Sequence, residues 1–237
     1  MSMLSRFATL GSGVATDPYW NSVSLLLVGN GANGTTTNIV DSSNNHYNMT
    51  PAGNTQISTA QSKYGSGSVY FVGSGDYIGS SNWEPSANFG TSNFTMEMWL
   101  YATAAPNNNQ IIFSAYAYPS SNGIGLYYTG GGSTQISIVS GPAVVLSASG
   151  GWSFNNWIHV AVVRSGGTVT LYLGGVNRGS ATFTNNCTDG LKYIGRPFDT
   201  PSFSYTGYIY DFRITKGVAR YTSDFTPPTA PFPTTGP

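Results

Sequence analysis

Hydrophobic and polar positions alternate with a period of two through much of this chain. The clearest case is residues 94–101, where Phe94, Met96, Met98 and Leu100 interleave with Thr95, Glu97, Trp99 and Tyr101. Successive side chains of a strand point to opposite faces, so this pattern predicts a β-strand. Both sets are bulky, which predicts cover on both faces of its sheet. Residues 157–163 form a strongly apolar strand, and 168–173 alternate again. Between them Arg164, Ser165, Gly166 and Gly167 read as a hairpin turn. Further strands are predicted at 24–28, 47–49, 56–58, 69–72, 77–79, 110–116, 124–129, 135–139, 144–147, 178–183, 191–195 and 205–215. Gly-, Pro- and Asn-rich turns separate them, as at 119–123, 129–132 and 140–142. No window of eleven residues holds a 3.6-residue apolar period, so no amphipathic helix is expected. Many short strands punctuated by glycine predict a β-sandwich or barrel.

The two ends break the pattern. Residues 1–20 form an arm punctuated by glycine and serine. Residues 226–237 hold five prolines and cannot join a sheet interior. The expected organisation is an arm over 1–20, one β domain over 21–225 and a Pro-rich tail over 226–237.

Charge changes the picture more than length does. Nine Lys+Arg balance nine Asp+Glu, and only 8% of residues are charged. A nucleic-acid binder gathers a basic excess into a patch, and none is available here. No apolar run approaches the ~20 residues that span a bilayer, so neither nucleic acid nor membrane is an expected partner. Polarity comes instead from Ser, Thr and Asn, which suit strand edges and turns. Cys187 is the only cysteine, which excludes an intrachain disulfide and a multi-thiolate metal site. The first residues lack a signal-peptide apolar stretch, so synthesis in a cytoplasm is expected.

Catalytic chemistry finds little support. Glycoside hydrolysis needs two carboxylates flanking one bond, which on a strand appear at i, i+2 or i, i+4. The only glutamates are Glu84 and Glu97, and no acidic pair has that spacing. A serine triad needs a histidine. His46 sits in an Asn-rich loop, and His159 on the 157–163 strand reads as a packed side chain bonded to a backbone carbonyl. No catalytic residue, cofactor or metal is expected.

Binding is better provided for. Sugars stack on aromatic rings and bond to amides and hydroxyls. Trp83, Tyr116, Tyr118, Tyr127 and Phe203 lie in or beside predicted loops, and 107–123 is the richest loop region. Trp83, Asn107, Asn108, Tyr116, Tyr118 and Asn122 form the candidate carbohydrate-binding set. A second set, Leu4, Arg6, Phe7, Leu10, Tyr19, Trp20 and Phe232, would serve contacts with other subunits, because low charge suits large hydrogen-bonded interfaces.

Residues 62–78 (SKYGSGSVYFVGSGDYI), 93–101 (NFTMEMWLY), 157–164 (WIHVAVVR), 170–175 (TLYLGG) and 205–215 (YTGYIYDFRIT) together resemble the laminin-G-like, concanavalin A-like lectin/glucanase superfamily. The resemblance implies an all-β jelly roll of two antiparallel sheets. Two family aspartates are absent: Val72 stands in Phe-Val-Gly at 71–73, and Gly174 in Tyr-Leu-Gly-Gly at 172–175. That removes carboxylates from turns where calcium would sit and leaves Asp76 and Asp211 as isolated ligands. Residues 17–23 (DPYWNSV) and 216–228 (KGVARYTSDFTPP) resemble a subgroup found in tailed-phage virion proteins. This second resemblance implies a non-enzymatic capsid decoration (cement) protein on a virion's outer surface. It would touch the major capsid protein through its arm and one sandwich edge, as a homo-oligomer such as a trimer. The alternative is a carbohydrate-binding adhesin of a tail fibre or outer virion surface, with a cell-surface glycan as partner.

Overall fold

The computed structural model describes residues 15–37, 39–73, 75–79, 84–104, 106–116, 122–131, 134–188, 192–196 and 201–237. In chain order the strands are β1 (Val23–Leu27), β2 (Thr50–Ala52), β3 (Gln56–Ser58), β4 (Ser68–Phe71), β5 (Tyr77–Gly79), β6 (Phe94–Tyr101) and β7 (Gln110–Ala115). They continue with β8 (Ile124–Tyr128), β9 (Ile136–Ser140), β10 (Ala143–Ala148), β11 (Trp157–Ser165), β12 (Thr168–Leu173), β13 (Val176–Thr182), β14 (Tyr193–Ile194) and β15 (Gly207–Lys216). One sheet has eight strands in the order β13-β12-β11-β6-β15-β4-β3, with β1 also paired to β15. The other has seven, in the order β10-β9-β8-β7-β14-β5-β2. Every strand pairing is antiparallel. This is the two-sheet jelly roll that the family resemblance implies, and it agrees with the sandwich-or-barrel class read from the alternating pattern. Among the described residues no helix is long and apolar enough to cross a membrane.

The alternation explains the core. Phe94, Met96, Met98 and Leu100 of β6 face inward with Val160 and Val162, Leu171 and Leu173, and Phe212 and Ile214. Phe113, Leu126 and Ile138 meet them from the other sheet. Each large apolar side chain so buried contributes about 1.5–3 kcal/mol. All eight residues of β6 are buried, so its outward set is covered too. Gly166 and Gly167 turn β11 into β12 with φ of 56° and 83°. Two positive angles make the type I′ geometry that matches strand twist, which glycine adopts without steric cost.

Three sequence expectations shift. The strand expected at 47–49 forms at Thr50–Ala52, where Pro51 sits on the edge strand of the seven-stranded sheet. Proline removes a ladder donor, and an edge tolerates that loss. The strand expected at 191–195 contains only the two-residue β14. Short 3-10 turns at Trp20–Ser22, Glu84–Ala87 and Pro201–Phe203 are too brief to show a period.

Residues 217–237 add no strand, as their prolines require, yet they do not leave the domain. They run over the outer face of the eight-stranded sheet. Phe225 N–H donates to Gly175 O at 2.9 Å. Tyr64 Oη donates to Pro228 O at 2.7 Å. Asp17 N–H donates to Thr235 O at 2.9 Å, so both flanking segments close over the same face.

Candidate functional site

The opposite outer face, on the seven-stranded sheet, is open. Along β9, Ile136 and Ile138 point into the core, so Ser137 and Val139 point out. Antiparallel partners share a face. Tyr127 on β8 and Ser147 on β10 both pair with Ser137, forming one outward row. Gly125 and Val144 both pair with Val139, forming a second row. A register shift between Val144 and Leu146 makes this possible. Residues three apart on a regular strand face opposite ways, and the bulge brings Val144 and Ser147 to one side.

A groove of about 330 Å³ runs over these rows. Asn109 and the β8–β9 hairpin residues Thr129 and Gln135 flank it, and the Gly141–Pro142 turn closes one side. Small-molecule sites start at about 300 Å³. Ser137 Oγ lies 2.8 Å from Thr129 Oγ1 and 2.8 Å from Ser147 Oγ, a chain of three hydroxyls. Asn109 Oδ1 accepts the Gly130 N–H at 3.0 Å, tying the 106–109 loop to the hairpin. Gly125 has a steric reason to be glycine: a Cβ there would stand 2.7 Å from Tyr116 Cε1 and 3.0 Å from Val139 Cγ2. The space lets the Tyr116 ring lie across β8, where its hydroxyl bonds that of Tyr127.

The sequence-derived binding set is only partly assembled here. Asn107 and Asn108 are exposed on the loop that ends at Asn109. Tyr116, expected to stack on a ligand, is 3% exposed and instead supports Tyr127 from below. Asn122 is exposed, and its carbonyl accepts the Thr188 N–H away from the groove. Trp83 and Tyr118 lie outside the described residues. Ser137, Ser147, Val139 and Val144 were not singled out from sequence. The alternation of residues 135–139 signals the first and third, but the bulge in β10 hides the others.

Of the expected subunit contacts, Leu4, Arg6, Phe7 and Leu10 also lie outside the described residues. Tyr19 is 44% exposed. Trp20 is half-buried and donates from Nε1 to Asn44 Oδ1 at 2.9 Å. Phe232 is buried within its own chain, against Val23 and Leu26, with the Arg213 guanidinium 3.8 Å from its ring centre. The tail is thus occupied by its own sheet.

Beneath that tail lies a charged cluster sealed from solvent. Glu97 Oε1 accepts from Arg213 Nη2 at 2.7 Å and Nε at 3.0 Å. Asp17 Oδ2 accepts from Arg213 Nη1 at 2.8 Å and Arg220 Nη2 at 2.7 Å. Tyr221 Oη donates to Glu97 Oε2 at 2.8 Å. His159 Nε2 is 3.3 Å from the same oxygen, so its neighbour is a carboxylate and not the expected backbone carbonyl. Burial by itself would raise the Glu97 pKa, but Arg213, aided by His159 and Arg220, holds it well below the usual carboxylate range. Asp211, in the β15 bulge, has φ of 52°. Its Oδ2 accepts the Phe232 N–H at 2.7 Å, and burial pushes its pKa up to about 7.

These carboxylates hold the fold together and are not poised for chemistry. Asp76 and Asp211, the two isolated carboxylates left near the family's calcium turns, both accept backbone N–H groups. Asp76 spends both oxygens on the N–H groups of Asn54 and Val72, and Asp211 is buried under the tail. Among the described residues no three His, Cys, Asp or Glu gather to hold a metal. Among the described residues the groove lining has no carboxylate or histidine, and it offers a polar ligand hydroxyls and side-chain amides.

A two-sheet jelly roll bearing a neutral, hydroxyl-lined groove defines a lectin-like β-sandwich. Residues 72–220 match the profile of the concanavalin A-like lectin/glucanases superfamily, and the chain belongs to that superfamily. No curated protein matches the sequence. Among solved structures, the binding domain of botulinum neurotoxin serotype D is similar, with a TM-score of 0.61 and 17% identity over 84% of this chain and 49% of that one. The binding domain of Paraclostridial Mosquitocidal Protein 1 has a TM-score of 0.61 and 14% identity, over 84% and 49%. Domain 4 of AbnA, an extracellular arabinanase from Geobacillus stearothermophilus solved with arabinotriose, has a TM-score of 0.59 and 14% identity, over 84% and 94%. The chain spans about half the length of the toxin binding domains it matches. Identities this low establish a shared fold.

Proposed function

We propose that this domain is a non-catalytic carbohydrate-binding module whose glycan lies in the groove across β8, β9 and β10. The observation that carries this reading is the pairing of two rows on one open face. Tyr127 and Ser147 offer hydroxyls on either side of a nearly buried Ser137, and the exposed Val144 offers apolar surface one step along, beside a buried Val139. A sugar ring presents the same two chemistries, hydroxyls at its rim and C–H groups on its faces. A similar structure supports the reading: AbnA domain 4 was solved with arabinotriose.

The capsid-decoration reading rested on the flanking segments. Asp17 and Arg220, one from each, pair with each other in the sealed cluster, so these motifs have a task within the chain. A glycan-binding adhesin on an outer surface needs no capsid contact from them. The test is a glycan array followed by calorimetry on the full chain. Tyr127→Ala and Ser137→Ala should each weaken binding about tenfold or more, the worth of one or two lost contacts. A folded chain that binds no glycan, or variants that bind as well as the parent, would overturn the assignment.

A further inference from the structure

The groove is built without charge. Among the described residues lining it, none is Asp, Glu, Lys, Arg or His. The nearest explanation, a chain poor in charges, is incomplete, because the charges it has are placed elsewhere. Arg213, Arg220, Glu97 and Asp17 are sealed under the tail on the other sheet. Arg164 is buried and donates to the carbonyls of Ser92, Asn185 and Gly90.

The hydroxyl chain adds a direction to this neutrality. Thr129, Ser137 and Ser147 have three O–H donors, and their two mutual contacts use two of them. Each hydroxyl has one donor and two acceptor lone pairs, so the chain retains roughly one donor against four acceptor sites. It is an acceptor-rich strip. A ligand hydroxyl can donate to it and be satisfied. A carboxylate or sulfate is an acceptor only; after giving up its water it would meet the neutral donors of these hydroxyls and of the Asn109 and Gln135 amides, and no cation among the described lining residues. Burying such a group without a cation is costly. Val144 and Pro142, exposed along the other side, also favour the apolar face of a neutral ring.

Resting on the glycan reading, we infer that the groove selects uncharged, hydroxyl-rich saccharides and excludes sialylated, uronic and sulfated ones. The test uses matched pairs that differ by the acidic group: galactan against galacturonan oligosaccharides of equal length, and lactose against sialyllactose. Calorimetry on the full chain should show the neutral member bound at least about tenfold more tightly, in keeping with the cost of an unpaired buried charge. Neutral affinity should change less than about twofold between roughly 50 and 500 mM salt, because no ion pair is there to be screened. Ser147 is exposed, so Ser147→Lys should fold normally and raise the affinity of the acidic member several-fold.

The outcomes separate the two levels. An acidic member bound as well as its neutral partner overturns this inference and leaves the glycan reading standing. A folded chain that binds neither class overturns the glycan reading itself. Neutral binding that ignores both Ser147→Lys and Ser137→Ala overturns the assignment of selectivity to this groove.

Discussion

Replacing Glu97 by Gln separates a structural charge from a functional one. The side chain keeps its shape and loses its charge. Arg213 and Arg220, both nearly inaccessible, then share Asp17 as their only anion in the cluster. Two unit charges about 4 Å apart attract by roughly 4 kcal/mol at an effective dielectric of 20. Breaking a buried pair by removing one partner typically costs about 3–5 kcal/mol, which agrees. For a domain of this size each kcal/mol lowers the melting temperature by about 2–4 °C, so the variant should melt about 6–20 °C lower. Urea unfolding is the direct assay, with an unchanged slope showing that only stability moved. The sign with pH follows from the depressed Glu97 pKa. Its contribution is present above the unfolded value, 4.5, and is lost as pH falls through the folded value. The gap between parent and variant should therefore narrow in acid below about pH 4.5. Glycan binding at neutral pH and a permissive temperature should be unchanged. A loss under about 1 kcal/mol, or binding abolished in a stable variant, would refute the structural role.

Three further outcomes follow from the same geometry. Phe232→Ala removes a buried ring and its contact with Arg213, and should cost about 3–5 kcal/mol and open residues 217–237 to limited proteolysis. Asp211 has a raised folded pKa of about 7 against 3.8, so its contribution is full in acid and is lost as pH rises through 7. That displacement corresponds to roughly 4 kcal/mol, and Asp211→Asn should flatten the decline between about pH 4 and 8 in urea midpoints. Gly125→Ala places a methyl 2.7 Å from Tyr116 Cε1 and should cost about 1–3 kcal/mol while weakening glycan binding; an unchanged melt and affinity would show that Tyr116 does not support the groove.

Much of the fold was legible in the chain. The strands at Gln56–Ser58, Tyr77–Gly79, Phe94–Tyr101 and Thr168–Leu173 form with the bounds their alternation predicts. The bulk on both faces of β6 correctly announced a second cover. What provides that cover was not legible, because 217–237 has no periodicity and its scattered large rings, Tyr221, Phe225 and Phe232, are anchors that mean nothing until the sheet exists. The groove was half legible. Tyr127 and the 107–109 loop pointed toward it, while Tyr116 looked like a ligand contact and is a support.

The sequence by itself determined the class of fold: a period of two, repeated between glycine turns, calls for a β-sandwich or barrel, and the family motifs point to two antiparallel sheets. It also determined the neutrality of most of the surface, which is a matter of composition. Only the tertiary structure decided which residues meet. Asp17, Glu97, His159, Arg213 and Arg220 span most of the chain, and they converge through strand pairing and the fold-back of both ends. Val144 and Ser147 share a face because one residue bulges from β10. Alternation is a local property that each strand expresses alone. Register, bulges and the path of a tail are set by the packing of distant segments, and no local pattern encodes them.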